Sequence, residues 1–201
     1  IISDNSATDL CIKAAGGTAA VTAKMREIGI EGIDVNRPTY VAIANYLGVT
    51  SVSEDVPYDD DKVVKEMMAL SREERKQASE AFDKDPRDTA TPKAMAELLR
   101  MIWAGEVLNE TNTGLLLDIM KRCETGEARL KGMLPEGTVV RHKTGTIGGS
   151  TNDVGIIELP GDAGAVVTVV FVKEATAESE EREEAIAQIA RSVYDYYLYK
   201  Q

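Results

Sequence analysis

Residues 138–172 read TVVRHKTGTIGGSTNDVGIIELPGDAGAVVTVVFV, and in this stretch the apolar period changes. Before it, apolar side chains recur three and four residues apart, the spacing of one face of a helix. From Thr138 onward, β-branched residues gather in short runs at 139–140, 154–159 and 165–172. Such residues suit a pleated, half-buried surface, so each run predicts a strand. Pro160-Gly161-Asp162-Ala163-Gly164 joins the second run to the third with turn-forming residues, which predicts a hairpin and hence an antiparallel sheet.

Working outward, Ala185, Ile186, Ile189, Ala190, Val193 and Tyr197 form an amphipathic stripe suited to lie across that sheet. Upstream, a first helix is expected over 7–15, ending at Gly16-Gly17, and Thr18 is placed to cap a second with Val21, Met25 and Ile28. Ser71-Arg72-Glu73-Glu74 has the form of a capping box that opens a polar helix running through Phe82. Thr91 and Pro92 supply a cap and a first-turn proline for a helix carrying Met95, Leu98, Leu99, Ile102 and Trp103. Another helix carries Leu115, Leu116, Ile119 and Met120. Between these lies a segment broken by Asn36-Arg37-Pro38, Gly48, Pro57 and Asp59-Asp60-Asp61, which reads as long, irregular and solvated around an apolar run at 41–47. The fold class is therefore α+β, with helices packed on an antiparallel sheet. A helical lobe over 1–127 holds a long loop at about 30–90, and an α/β lobe over 128–201 holds the strand, the hairpin and the closing helix.

Composition narrows the function classes. With 43% hydrophobic and 28% charged residues, the 201-residue chain has an ordinary globular composition. A formal net charge of −11 opposes any surface that follows a phosphate backbone, so nucleic acid is not an expected partner. The longest apolar run, 164–172, is too short to span a bilayer. Cys11 and Cys123 stand far apart without ligand spacing and read as two small buried hydrophobes. No metal site and no cofactor is expected. The opening Ile1-Ile2 has neither a basic nor an apolar leader, which leaves the compartment open.

Two triplets carry the chemistry. Ser3-Asp4-Asn5 precedes the first helix, and by itself reads as a capping sequence in which Ser3 or Asp4 accepts from free backbone N–H groups. Lys143-Thr144-Gly145 lies on the first strand. In this order, one on a helical lobe and the other on a strand, they form two of the three serine β-lactamase and penicillin-binding signatures. Together with Arg87-Asp88-Thr89-Ala90-Thr91-Pro92 and the pair Lys143-Thr144-Gly145-Thr146 with Thr151-Asn152-Asp153-Val154-Gly155, they make the chain resemble a class A β-lactamase-like serine hydrolase over essentially its whole length.

That resemblance implies roles. Acyl transfer to a β-lactam or a D-alanyl peptide needs a hydroxyl nucleophile, a base, a proton route to the leaving nitrogen and fixed donors for the oxyanion. By resemblance, Ser3 relays the proton, Lys143 keeps the site positive, and the backbone N–H of Thr146 is an oxyanion donor. Asn5 donates to the substrate's side-chain carbonyl, Thr144 binds its carboxylate, and Gly145 admits it close to the strand. Arg129 would reach the carboxylate from behind the strand, with Asn152 at the family's alternative place; pairing with Glu127 at a solvated helix end is the other reading of Arg129. Asp4 would hold the first turn. Arg37 and Asp88 match an ion pair across the neck of the loop beside the active site. A secreted or cell-envelope location is implied as well.

The chain departs from the family pattern twice. No Ser-x-x-Lys occurs, so the nucleophile and its lysine, with the first strands and helices, are expected in an N-terminal part of the same domain outside this chain. A sheet edge and the stripe of Ile186, Ile189 and Val193 are then expected to be exposed. The family's deacylating Glu falls on Thr39, which cannot serve as a general base at neutral pH. Tyr40 or the acidic residues Glu54, Asp55 and Asp59 to Asp61 are candidate substitutes, although solvation explains such a run equally well. Three readings follow: a serine hydrolase opening a β-lactam or related amide or ester; a penicillin-recognising or peptidoglycan-sensing domain with slow or no deacylation; and a helical interaction domain in which both triplets are accidental.

Overall fold

A computed structural model describes residues 3–56, 58–161 and 163–200, and divides the chain into two compact units. Pro57 and Asp162, read above as turn residues, lie outside the described residues, as do Ile1 and Ile2.

The first unit, Asp4–Ala90, is helical: α1 (Asn5–Ala14), α2 (Thr18–Glu27), α3 (Thr39–Leu47), α4 (Asp60–Ala69) and α5 (Arg72–Asp83). Its core gathers Val41 and Ala44 of α3 with Val49 and Val52, against which Tyr40, Leu47, Val63 and Met67 pack. The stretch read as irregular loop therefore holds two helices. Asp59 is the N-cap of α4, accepting from Lys62 N at 3.1 Å, and Asp60 and Asp61 occupy its first turn. Carboxylates there satisfy free N–H groups and oppose the positive end of the helix dipole, so an acidic run that resembles a loop is also a helix start. The Ser71–Glu74 capping box forms in both directions. Thr18 is the first residue of α2 and makes no cap; Gly17 holds the N-cap position.

The second unit gathers Ser3 with residues from Thr91 onward: α6 (Pro92–Trp103), α7 (Glu110–Lys121), β1 (Val140–Ile147), β2 (Ser150–Glu158), β3 (Ala165–Val172) and α8 (Ser179–Tyr199). Thr91 caps α6, accepting from Ala94 N at 3.2 Å. The strands form an antiparallel sheet in the order β1-β2-β3, with Thr144 opposite Asp153 and Asp153 opposite Val170. Strand alternation sends Val154, Ile156, Val167 and Val169 toward α6 and α7, and Val140, Ile157, Val166 and Val170 toward α8. On α8 the residues that bury fully are Ile186, Ala187, Ala190 and Tyr194. The expected stripe is thus rotated: Ile186 is 0% exposed, whereas Ile189 and Tyr197 are 45% and 47% exposed. Among the described residues no helix is long and apolar enough to cross a membrane.

Candidate active site

The start of α1 resolves the Ser3-Asp4-Asn5 triplet into separate tasks. Asp4 is the N-cap, and its Oδ1 accepts from Ala7 N at 2.7 Å. Asn5 is the exposed first helical residue. Capping by Asp4 leaves the Ser3 hydroxyl available for a long-range partner. That partner is Lys143, whose Nζ donates to Ser3 Oγ at 2.8 Å across 140 residues of sequence. Lys143 Nζ also donates to the Thr144 carbonyl at 2.5 Å. Although the residue as a whole is exposed, its ammonium end is packed among protein atoms, and this burial pushes its pKa below that of a free lysine. Cys123 and Asp153 partly offset the effect by favouring the cation; Arg129 reinforces it.

Alternation along β1 places the flanking residues on the other face of the strand. Thr144 is buried, and its Oγ1 shares a hydrogen with Thr125 Oγ1 at 2.6 Å. The loop carrying Thr125 fits there because Gly126, at φ +75°, has no Cβ; one would lie 2.6 Å from Thr144 Cγ2. Arg129 is 7% exposed and reaches the back of β1. Its Nη2 donates to Thr146 Oγ1 at 2.7 Å and its Nη1 to the Asn152 carbonyl at 2.9 Å, with a longer 3.3 Å contact to the Gly145 carbonyl. Its Nε donates to Glu183 at 3.0 Å, while Glu127 pairs with Lys131. Arg129 is therefore a buried residue of the strand's rear face and not a solvated helix-end charge. Ser3, Lys143, Thr144, Gly145, Thr146 and Arg129 thus gather around β1 within one unit.

The remaining candidates belong to the helical unit. Arg37 Nε donates to Asp88 Oδ2 at 2.6 Å and its Nη1 to Asp85 Oδ2 at 3.0 Å, so the expected neck pair forms with a second carboxylate added. Thr39 opens α3, whose N-cap residue Pro38 makes no side-chain cap. The cap comes from α1, where Asp9 Oδ1 accepts from Thr39 N at 2.5 Å and Oδ2 from Tyr40 N at 3.1 Å. Burial raises the Tyr40 hydroxyl above its ordinary value, and Glu54, Asp9 and Asp55 add to the rise, which disfavours the phenolate that a substitute base would need.

Sequence reasoning missed Asp9, Thr125 and the pair His142–Asp153. Asp9 gave no sign because it caps a helix other than its own. Cys11 is exposed and only Cys123 is buried, with its thiol 3.3 Å from Thr125 Oγ1. Among the described residues no cluster of His, Cys, Asp and Glu has the arrangement of a metal site.

Comparison with known proteins matches these features to one family. The model of the beta-lactamase enzyme family matches residues 1–197. The chain is 34% identical over 204 residues to the extended-spectrum beta-lactamase PER-1 of Pseudomonas aeruginosa, covering 98% of this chain and 54% of that protein. It is 39% identical over 118 residues to beta-lactamase CTX-M-25 of Escherichia coli, covering 58% of this chain and 40% of the relative. The crystal structure of the TLA-3 extended-spectrum beta-lactamase superposes with a TM-score of 0.72 at 28% identity, over 97% of this chain and 60% of that one. An ancestral class A beta-lactamase gives 0.70 at 30% identity, over 96% and 60%. The chain spans 54% of the length of PER-1 and 60% of the TLA-3 chain. With the α+β fold, the Ser3–Lys143 contact and a match over nearly every residue, the chain belongs to the beta-lactamase enzyme family, as a class A type domain.

Proposed function

We propose that this chain supplies the proton-relay and anion-binding parts of a serine acyl-transfer site that opens a β-lactam or a related amide or ester. The observation that carries the reading is the 2.8 Å hydrogen bond from Lys143 Nζ to Ser3 Oγ. A hydroxyl held by an ammonium is oriented with its own hydrogen free to pass to a leaving nitrogen, and the positive charge lowers the cost of negative charge developing nearby. Serine attack on the carbonyl carbon forms the acyl bond and breaks the carbon–nitrogen bond; the nucleophile's proton ends on that nitrogen through Ser3. Thr144, Thr146 and Arg129 favour a substrate with a carboxylate, Gly145 leaves it room, and Asn5 reads its amide side chain. The relatives named as extended-spectrum beta-lactamases support a β-lactam substrate and a part in antibiotic resistance. A secreted or cell-envelope location goes with that reading, as does a nucleophilic serine with its lysine elsewhere in the full-length protein.

A second reading, a penicillin-recognising or peptidoglycan-sensing domain that holds its acyl group, is favoured by Thr39. Its backbone N–H is fixed by Asp9, and its side chain offers no general base. Mass spectrometry of the full-length protein with a penicillin, followed over time, separates the two. A transient adduct with accumulating hydrolysed product supports turnover, a persistent adduct supports the sensor, and no adduct rejects both.

A further inference from the structure

His142 is the only histidine of the chain, lies next to Lys143, and is 1% exposed. Its ring Nδ1 is 2.9 Å from Oδ1 and 3.0 Å from Oδ2 of Asp153, itself 0% exposed. The sheet is shaped around this pair. His142 stands opposite Gly155 in the β1–β2 register. A Cβ at 155 would lie 2.7 Å from His142 Cβ and 2.6 Å from the Arg141 carbonyl oxygen, so glycine there makes room for the histidine. Asp153 Oδ2 also accepts from the Leu130 backbone N–H at 3.2 Å, inside the core where Leu130 is 0% exposed. Leu130 follows Arg129, whose guanidinium donates to the Asn152 carbonyl, next to Asp153, and to Thr146.

We propose that His142 is a positioning residue for the anion-binding side of the site: by donating to Asp153 it fixes the turn that carries Arg129, and with it the aim of the guanidinium at the Thr146 side of β1. The inference rests on the acyl-transfer reading given above. A buried carboxylate is held in place only where donors converge on it, and among the described residues the donors to Asp153 are one ring N–H and one backbone N–H. Among the described residues Nε2 of the ring is buried without a hydrogen-bond partner, and the contact the ring makes is through Nδ1. Asp153 stands close enough to Lys143 to favour its charged form, opposite in sign to the effect of Arg129. Without His142 the Leu130 N–H keeps an acceptor that is under-supplied with donors, and the aim of Arg129 is no longer fixed by the interior.

The test uses the full-length protein and compares benzylpenicillin with its methyl ester, which lacks the anionic carboxylate. Second-order constants for adduct formation are measured by mass spectrometry for the wild type, His142→Leu and His142→Asn. Asparagine places an N–H where Nδ1 stood. Loss of a charge-assisted hydrogen bond is expected to lower the constant for the acid roughly 10- to 100-fold in His142→Leu, with the ester changed by about threefold or less, and His142→Asn recovering most of the loss. Equal losses for acid and ester, or none for the acid, overturn the proposal. Should His142→Leu fail to fold, His142→Gln, whose N–H falls on the Nε2 side, takes its place. Amide hydrogen exchange at Leu130 gives a readout independent of chemistry: faster exchange in the leucine or glutamine variant but not in His142→Asn is expected, and unchanged exchange overturns the positioning role. If the wild type forms no adduct with either compound, the acyl-transfer reading fails, and Leu130 exchange alone decides what His142 holds.

Discussion

Arg37 Nε donates to Asp88 Oδ2 over 2.6 Å, joining two residues 51 apart in sequence and closing the loop that carries α3, α4 and α5. Asp88 also accepts from the backbone N–H groups of Asn36 at 2.6 Å and Arg37 at 2.9 Å, and its own φ is +54°. Asparagine tolerates that left-handed backbone at least as well as aspartate, so Asp88→Asn removes charge without forcing the turn. Arg37 is 7% exposed and would keep Asp85 as its one anionic partner. A loss of about 2–3 kcal/mol in urea-induced unfolding is expected for Asp88→Asn, larger than a surface pair would give. A change under about 0.5 kcal/mol would mean that the pair is solvated in solution.

Acid should loosen the same neck. The Arg87 guanidinium beside Asp85 holds its carboxyl well below the usual carboxylate range, with the Arg87 backbone N–H and Arg37 adding to the effect. A depressed carboxyl contributes stability that is fully present above the unfolded value of about 3.9 and is lost as pH falls toward the folded one. Unfolding free energy of the wild type should therefore drop on acidification below about pH 4, and Asp85→Asn should flatten that part of the curve while lowering stability at neutral pH. Parallel acid limbs for the two proteins would remove Asp85 from the account.

Lys143 gives a prediction on the alkaline side. Because burial lowers its pKa, the charged form that holds Ser3 disappears at a pH below the value of about 10.4 for free lysine. Adduct formation with a penicillin should decline as pH rises through that lowered value. Lys143→Arg should move the decline to higher pH, and Lys143→Ala should slow adduct formation at every pH, before any acyl-enzyme exists. An alkaline limb that Lys143→Arg leaves in place would assign it to another group.

Hydrolysis of the acyl-enzyme requires a base that acylation does not, so the two steps can fail separately. Thr39 begins α3 with its backbone already held by Asp9, and on the proposed reading it stands where the family resemblance expects the deacylating base. Thr39→Glu should hasten release of a preformed penicillin adduct by ~10²–10⁴-fold, the usual worth of general-base help, and leave its formation largely unchanged. Release in the wild type as fast as in Thr39→Glu would point to a base other than residue 39.

Much of this molecule is legible in its residues alone. The three β-branched runs, the hairpin between the last two, the Ser71–Glu74 capping box and the Thr91-Pro92 helix start are written in adjacent residues, because period and capping are local physics. The two triplets, and the neck pair Arg37–Asp88, were legible through motif order, which records long-range contacts without explaining them. The opening triplet reads as either a cap or half of a long-range pair, and the structure shows both contacts, because Asp4 takes the capping N–H and leaves Ser3 for Lys143.

What only the tertiary structure decided are relations that no local window contains. The acidic run at 59–61 starts α4 because Val63 and Met67 have a core to pack against; a solvated loop has the same local composition. α8 turns Ala187 and Tyr194 inward instead of Ile189 and Tyr197, since which stripe is buried depends on the shape of the sheet it meets. Asp9 caps α3 from another helix, and Asp153 waits on a neighbouring strand for His142 and Leu130. A side chain's hydrogen-bonding capacity is visible in its residue type, but its partner is chosen by proximity in space, and proximity is fixed only when the whole chain has packed.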